Sequence, residues 1–112
     1  MSLNHDEVKE IVAETIRQMR REGLLKSAAD IAYHEITARV RQYYRDGETD
    51  PEVTEALEKL EEDPYYKILP LLYRYGYTVE TIAETLGADA RTIYRNKKRL
   101  CLKLHELLEM EG

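Results

Sequence analysis

Thr78 to Arg99 reads T-V-E-T-I-A-E-T-L-G-A-D-A-R-T-I-Y-R-N-K-K-R, and its spacing predicts two short helices joined by a tight turn. Helices that cross steeply need an alanine-sized residue where they touch and a turn residue that tolerates positive φ. Ala83 and Gly87 stand at those two places. Ile82, Leu86 and Ile93 are spaced to aim their side chains under the crossing, with Ala88 filling the turn beside them. Thr78 and Asp89 each sit where a side-chain oxygen would receive the backbone N–H groups that open a helix. Turn, caps and apolar positions therefore agree on a helix-turn-helix.

The second helix of such a unit lies in the major groove of a duplex, so its outward face should carry groups that meet phosphates and base edges. Ala90 to His105 holds Arg91, Arg95, Lys97, Lys98, Arg99 and Lys103 with no Asp or Glu, a formal +6 in a chain of 17 basic and 22 acidic residues. Residues 1–64 hold 9 basic and 16 acidic side chains. The solvated face of a C-terminal helix also carries Lys and Arg, which suit the negative end of the helix dipole. Such a helix has no reason to show the Ala83, Gly87 and Ile93 pattern as well. The expectation is binding to double-stranded DNA through a local patch, because a formal net charge of −5 disfavours indiscriminate coating of nucleic acid.

Outward from this stretch, the sequence divides into about six helical segments, which makes the fold class all-α. Four of the five glycines, Gly23, Gly47, Gly76 and Gly87, fall where a helix should stop. Residues 1–62 form an acidic helical part and residues 63–112 the helix-turn-helix part, expected as one compact unit at this length of 112 residues. Asn4 with Glu7 suggests a capping box opening a first helix, whose inward stripe is Val8, Ile11, Val12, Thr15, Ile16 and Met19. Ser27 is placed to cap a second helix reaching about Asp46, with Ile31, Ala32, Ile36, Val40 and Tyr43 on one face. Asp50-Pro51 and Asp63-Pro64 repeat one signal, a capping Asp followed by proline at the first helical position. They are expected to open helices three and four. Helix three places Val53, Leu57 and Leu60 inward among glutamates on a solvated face; helix four, Pro64 to Tyr75, contains Pro70, which should kink it. The last helix is expected from Ala90 to about Glu109, with Ile93, Leu100, Leu104 and Leu107 continuing an apolar stripe past the basic segment. That tail either packs on the N-terminal helices or pairs with a second copy.

An enzyme is the weakest class. His5, His34 and His105 are scattered, so each reads as a surface or capping residue, and no metal or other cofactor is implied. Cys101, the one cysteine, lies among leucines and reads as a small core residue; a reducing cytoplasm suits it. No apolar run long enough for a membrane span and no signal peptide is evident. Met1, Ser2 and Leu3, with Glu111 and Gly112, read as candidate vector-derived ends. The nine tyrosines, in a chain without Phe or Trp, are expected mostly at packing positions and helix ends, Tyr94 on the reading helix excepted.

The motifs D-P-Y-Y-K-I-L from Asp63 to Leu69, E-T-I-A-E-T-L-G and R-T-I-Y-R-N-K-K-R-L, with the weaker G-L-L-K from Gly23 to Lys26, resemble phage late-gene transcriptional regulators of the ArpU and RinA type. The C-terminal half of that family is similar to region 4 of bacterial sigma factors. The resemblance implies base reading by the first two turns of the recognition helix, here Ala90, Arg91, Tyr94 and Arg95. Lys97, Lys98 and Arg99 lie where the helix would leave the groove and are expected on phosphates, with Thr78 opening the preceding helix toward one more. Three positions after Ile93 such helices usually carry an apolar residue, but here stands Asn96. Either Asn96 turns to the groove, or the helix is seated with a different rotation. The alternative function is a sigma-like module that docks on RNA polymerase or another phage protein with little DNA contact. A phage DNA-packaging subunit is a third reading. A homodimer would suit a reader whose single short helix covers few base pairs.

Overall fold

The structure, a computed structural model, describes residues 4–21, 23 and 27–111. It is all-helical, with six α-helices and no strand among the described residues: α1 His5–Arg21, α2 Ala28–Arg45, α3 Pro51–Glu58, α4 Ile68–Tyr73, α5 Val79–Leu86 and α6 Ala90–Glu111. Gly23 apart, the G-L-L-K stretch lies outside the described residues, as do Met1, Ser2, Leu3 and Gly112.

Side chains start these helices where the sequence suggests. Asn4 accepts the Glu7 N–H at 2.8 Å and donates its amide to the Glu7 carboxylate at 3.0 Å. The Ser27 hydroxyl receives the Asp30 N–H at 3.1 Å, and Asp50 receives those of Glu52 and Val53 ahead of Pro51. Each bond occupies a donor that the first helical turn leaves unpaired.

Helix four departs from expectation. Pro64 does not open it; residues 60–67 make successive turns, with the Tyr66, Ile68 and Leu69 N–H groups bonding three residues back. Asp63 caps only locally, accepting the Tyr65 N–H at 2.9 Å, because its carboxylate is also taken by Arg99. Pro70 falls in the first turn of α4, where a missing N–H leaves no bond unmade, so it produces no kink.

The apolar residues collect in two clusters. The larger joins Ile36, Val40 and Tyr43 of α2, Val53, Ala56 and Leu57 of α3, Leu60, Leu69, and Leu100, Cys101, Leu104 and Leu108 of α6. The smaller holds Ile68, Val79, Ile82, Ala83 and Ile93. Adjacent residues of α4 thus enter different clusters, and α6 enters both. The C-terminal tail packs on α2 and α3, with Leu108 buried at the position assigned to Leu107, which is only partly covered. α1 rests chiefly on α2, so its buried stripe is narrower than expected: Val12 and Ile16 are covered, whereas Ile11 is 52% exposed. A helix with one neighbour can bury only one narrow strip.

Cys101 is fully enclosed, and burial pushes its thiol up to about 11. Among the described residues the Tyr73 hydroxyl has no oxygen or nitrogen partner, and the Cys101 thiol is its polar neighbour. Gly87 has φ +67, a conformation that costs an L-residue about 1–2 kcal/mol. Gly87→Ala should therefore lower the unfolding free energy by about that much, measured by urea titration; an unchanged midpoint would refute the strain. At pH 8 Cys101 should stay unreactive toward an aromatic disulfide reagent until the chain is unfolded, and rapid labelling of the native state would contradict the burial.

Candidate nucleic-acid interface

The α5–turn–α6 unit is built locally. The Thr78 hydroxyl accepts the Thr81 N–H at 3.1 Å and donates to the Thr81 hydroxyl at 2.9 Å, which fixes the start of α5. Left-handed Gly87 ends it, and the Ala88 N–H reaches back to the Ala83 carbonyl at 2.9 Å, a closure that satisfies carbonyls at a helix end. Asp89 opens α6 by accepting the Thr92 N–H at 2.7 Å. That bond first, and the fields of Arg91 and Arg95 after it, hold the Asp89 carboxyl below its usual range. Ile82, Ala83 and Ile93 are buried between the two helices, with Leu86, Ala88 and Ala90 partly covered around them.

Successive residues advance about 100° around a helix, so with Ile93 inward, Arg91, Tyr94, Arg95 and Lys98 point away from the core. Arg91, Tyr94 and Arg95 are exposed, Tyr94 by 54%. Among the described residues, no hydrogen bond or ion pair engages the guanidinium groups of Arg91 and Arg95. Ala90 is partly buried on the smaller cluster, so its methyl group serves packing first.

The remaining cations of the basic segment are engaged within the chain. The Lys97 ammonium lies 5.7 Å from the Tyr33 ring centre and 6.0 Å from that of Tyr73. Lys98 Nζ is 3.5 Å from the Asp30 carboxylate and 5.8 Å from the Tyr33 ring centre. Arg99 makes a two-pronged pair with Asp63, each bond 2.9 Å long. Asn96 resolves its own question in a third way. Partly buried, it donates to the Thr92 carbonyl at 2.9 Å and accepts the Arg99 Nε–H at 3.1 Å. Its amide joins α6 to the guanidinium that reaches Asp63.

Sequence reading missed Asp30, Tyr33, Asp63 and Tyr73 as partners of the basic segment. Asp63 and Arg99 are 36 positions apart, and no local periodicity reports such a pairing. Tyr75 and Tyr77 also escaped it: the two residues are 60% and 42% exposed, with ring centres 6.3 Å apart. Arg74 lies 5.7 Å from the Tyr75 ring centre and pairs with Glu48.

Away from this face, a cleft of about 650 Å³ runs between α1, the end of α2, the start of α3 and the tail of α6. Its polar walls pair with each other: Arg39 with Asp50 at 3.1 Å and Glu52 at 3.2 Å, His5 within 3.8 Å of Asp50, and His105 within 3.7 Å of Glu109. Among the described residues no group of three or more His, Cys, Asp or Glu side chains is arranged to hold a metal ion, and no helix is long and apolar enough to cross a membrane. No protein family, curated protein or solved structure matches the chain.

The Asp63 carboxyl is held below its ordinary value, first by the Arg99 hydrogen bonds and also by the Tyr65 N–H. A carboxyl with a depressed folded pKa adds stability above its unfolded value, and this stability is lost as pH falls through the folded one. Thermal midpoints should therefore decline below about pH 4, and Asp63→Asn should flatten part of that decline. Identical acid limbs in the two proteins would show that the pair contributes nothing.

Proposed function

We propose that this chain is a sequence-specific, double-stranded DNA-binding transcriptional regulator of the phage or prophage late-gene type that its motifs resemble. The observation that carries the reading is the pair of guanidinium groups of Arg91 and Arg95, without a hydrogen bond or ion pair among the described residues and one helical turn apart on the exposed start of α6. A guanidinium matches guanine O6 and N7 with two parallel hydrogen bonds, the commonest specific contact to a base. Tyr94 stands beside them to meet a thymine methyl group or a phosphate, and Ala90 begins the same turn. The N–H groups at the start of α5 after Thr78 offer a phosphate contact of the kind helix N-termini make. Lys97, Lys98 and Arg99 supply further positive charge, and each must leave an internal partner to touch a phosphate.

The exposed pair of Tyr75 and Tyr77 favours a second reading, docking on RNA polymerase or another phage protein. Tyrosine and arginine are over-represented where protein surfaces bind each other, and these rings lie beside Arg74. Co-purification with polymerase that survives Arg91→Glu with Arg95→Glu would support this reading over the first.

Selection from a random duplex library at fixed salt should recover a motif containing guanine. Against that duplex, Arg91→Ala and Arg95→Ala should each cost about 1–3 kcal/mol and relax preference at one base pair. If both variants bind like the parent across a salt series, the DNA-reading assignment fails.

A further inference from the structure

Resting on the reading of α6 as the DNA-contacting helix, we infer that the first turns of α2 form an intramolecular mask, in which Asp30 and Tyr33 hold the ammonium groups of Lys97 and Lys98 in competition with DNA phosphates. Lys97 and Lys98 diverge by about 100° around α6, yet both ammonium groups lie within 6 Å of one ring centre, that of Tyr33. Asp30 stands one turn before Tyr33 on α2 and puts its carboxylate 3.5 Å from Lys98 Nζ. A carboxylate and an aromatic face together offer a lysine much of what a phosphodiester offers, a compact negative charge, with the ring quadrupole adding to it.

The magnitudes make this a mask and not a lock. The Lys98 and Asp30 side chains are 47% and 39% exposed, and a solvated pair of this kind shifts an equilibrium by at most about fivefold. A polyanion that releases its counterions on binding competes at that level. Arg99 differs from the two lysines, because two hydrogen bonds to Asp63, with the carboxylate itself tied to the Tyr65 N–H, hold it in place. The exchangeable cations are therefore Lys98 first and Lys97 second. Freeing them would extend the contact along α6 beyond Arg91 and Arg95 without changing which bases are read.

Binding of the library-selected duplex to the full chain tests this, titrated from about 0.05 to 0.3 M salt, a range over which phosphate contacts weaken markedly. Asp30→Asn should tighten binding about fivefold at the low-salt end, the equivalent of one exposed ion pair. The gain should shrink as salt rises, and sequence preference should stay the same. Glu55→Gln, which removes one negative charge from the exposed face of α3, should give a much smaller gain. In a Lys98→Ala background the effect of Asp30→Asn should vanish. Tyr33→Leu should tighten binding, while Tyr33→Phe, which keeps the ring, should not. A gain that persists without Lys98, or that Glu55→Gln reproduces in full, overturns the mask. So does parental affinity of Asp30→Asn in a protein whose binding still depends on Arg91, and in that case the DNA reading stands. If neither parent nor Asp30→Asn binds any duplex, the DNA reading itself fails and the mask with it.

Discussion

Burial of one edge of α6 in two separate clusters holds the molecule together. Ile93 closes the small cluster over α4 and α5, and Leu100, Cys101, Leu104 and Leu108 wall the larger one against α2 and α3. Each cluster includes side chains of α6, so each depends on the helix they share. The outward edge of the same helix carries Arg91, Tyr94 and Arg95. Its rotation, and hence what it presents, is set by the residues behind it.

Positive charge on α6 is apportioned by the packing around it. Six cations lie between Ala90 and His105, but the fold surrounds them unequally. Ile93 and Leu100 hold α6 so that Lys97 faces the Tyr33 and Tyr73 rings, while Arg99 swings to Asp63. Arg91 and Arg95 precede the contact with α2 and remain clear of it. A count of basic residues overstates the charge free to meet a partner, because an ion pair formed within the chain must be exchanged before it attracts anything else.

Local chemistry was the legible part. Asn4, Ser27, Asp50 and Thr78 cap helices because a short side-chain oxygen at that position serves N–H groups two or three residues on, which requires nothing from elsewhere in the chain. Asp63-Pro64 carries the same signal and failed, because Arg99 draws the Asp63 carboxylate into a long-range pair and the backbone settles into successive short turns. Pro70 misled for a related reason: its effect depends on where the helix begins, and that point lies four residues later than Pro64 suggests. Tyr75 and Tyr77 looked like packing residues, yet the loop that carries them leaves both rings in solvent.

Periodicity, capping residues and glycine positions in the chain alone were enough for an all-helical architecture, the α5–turn–α6 pair and a basic segment at the start of its last helix. These are properties of neighbours within a few residues, where backbone geometry dictates what can meet. The partners of Lys97, Lys98 and Arg99 and the clearance of Arg91 and Arg95 came from assembly of the helices. Those depend on distances between elements remote in sequence, and such distances exist only once both clusters have packed on α6.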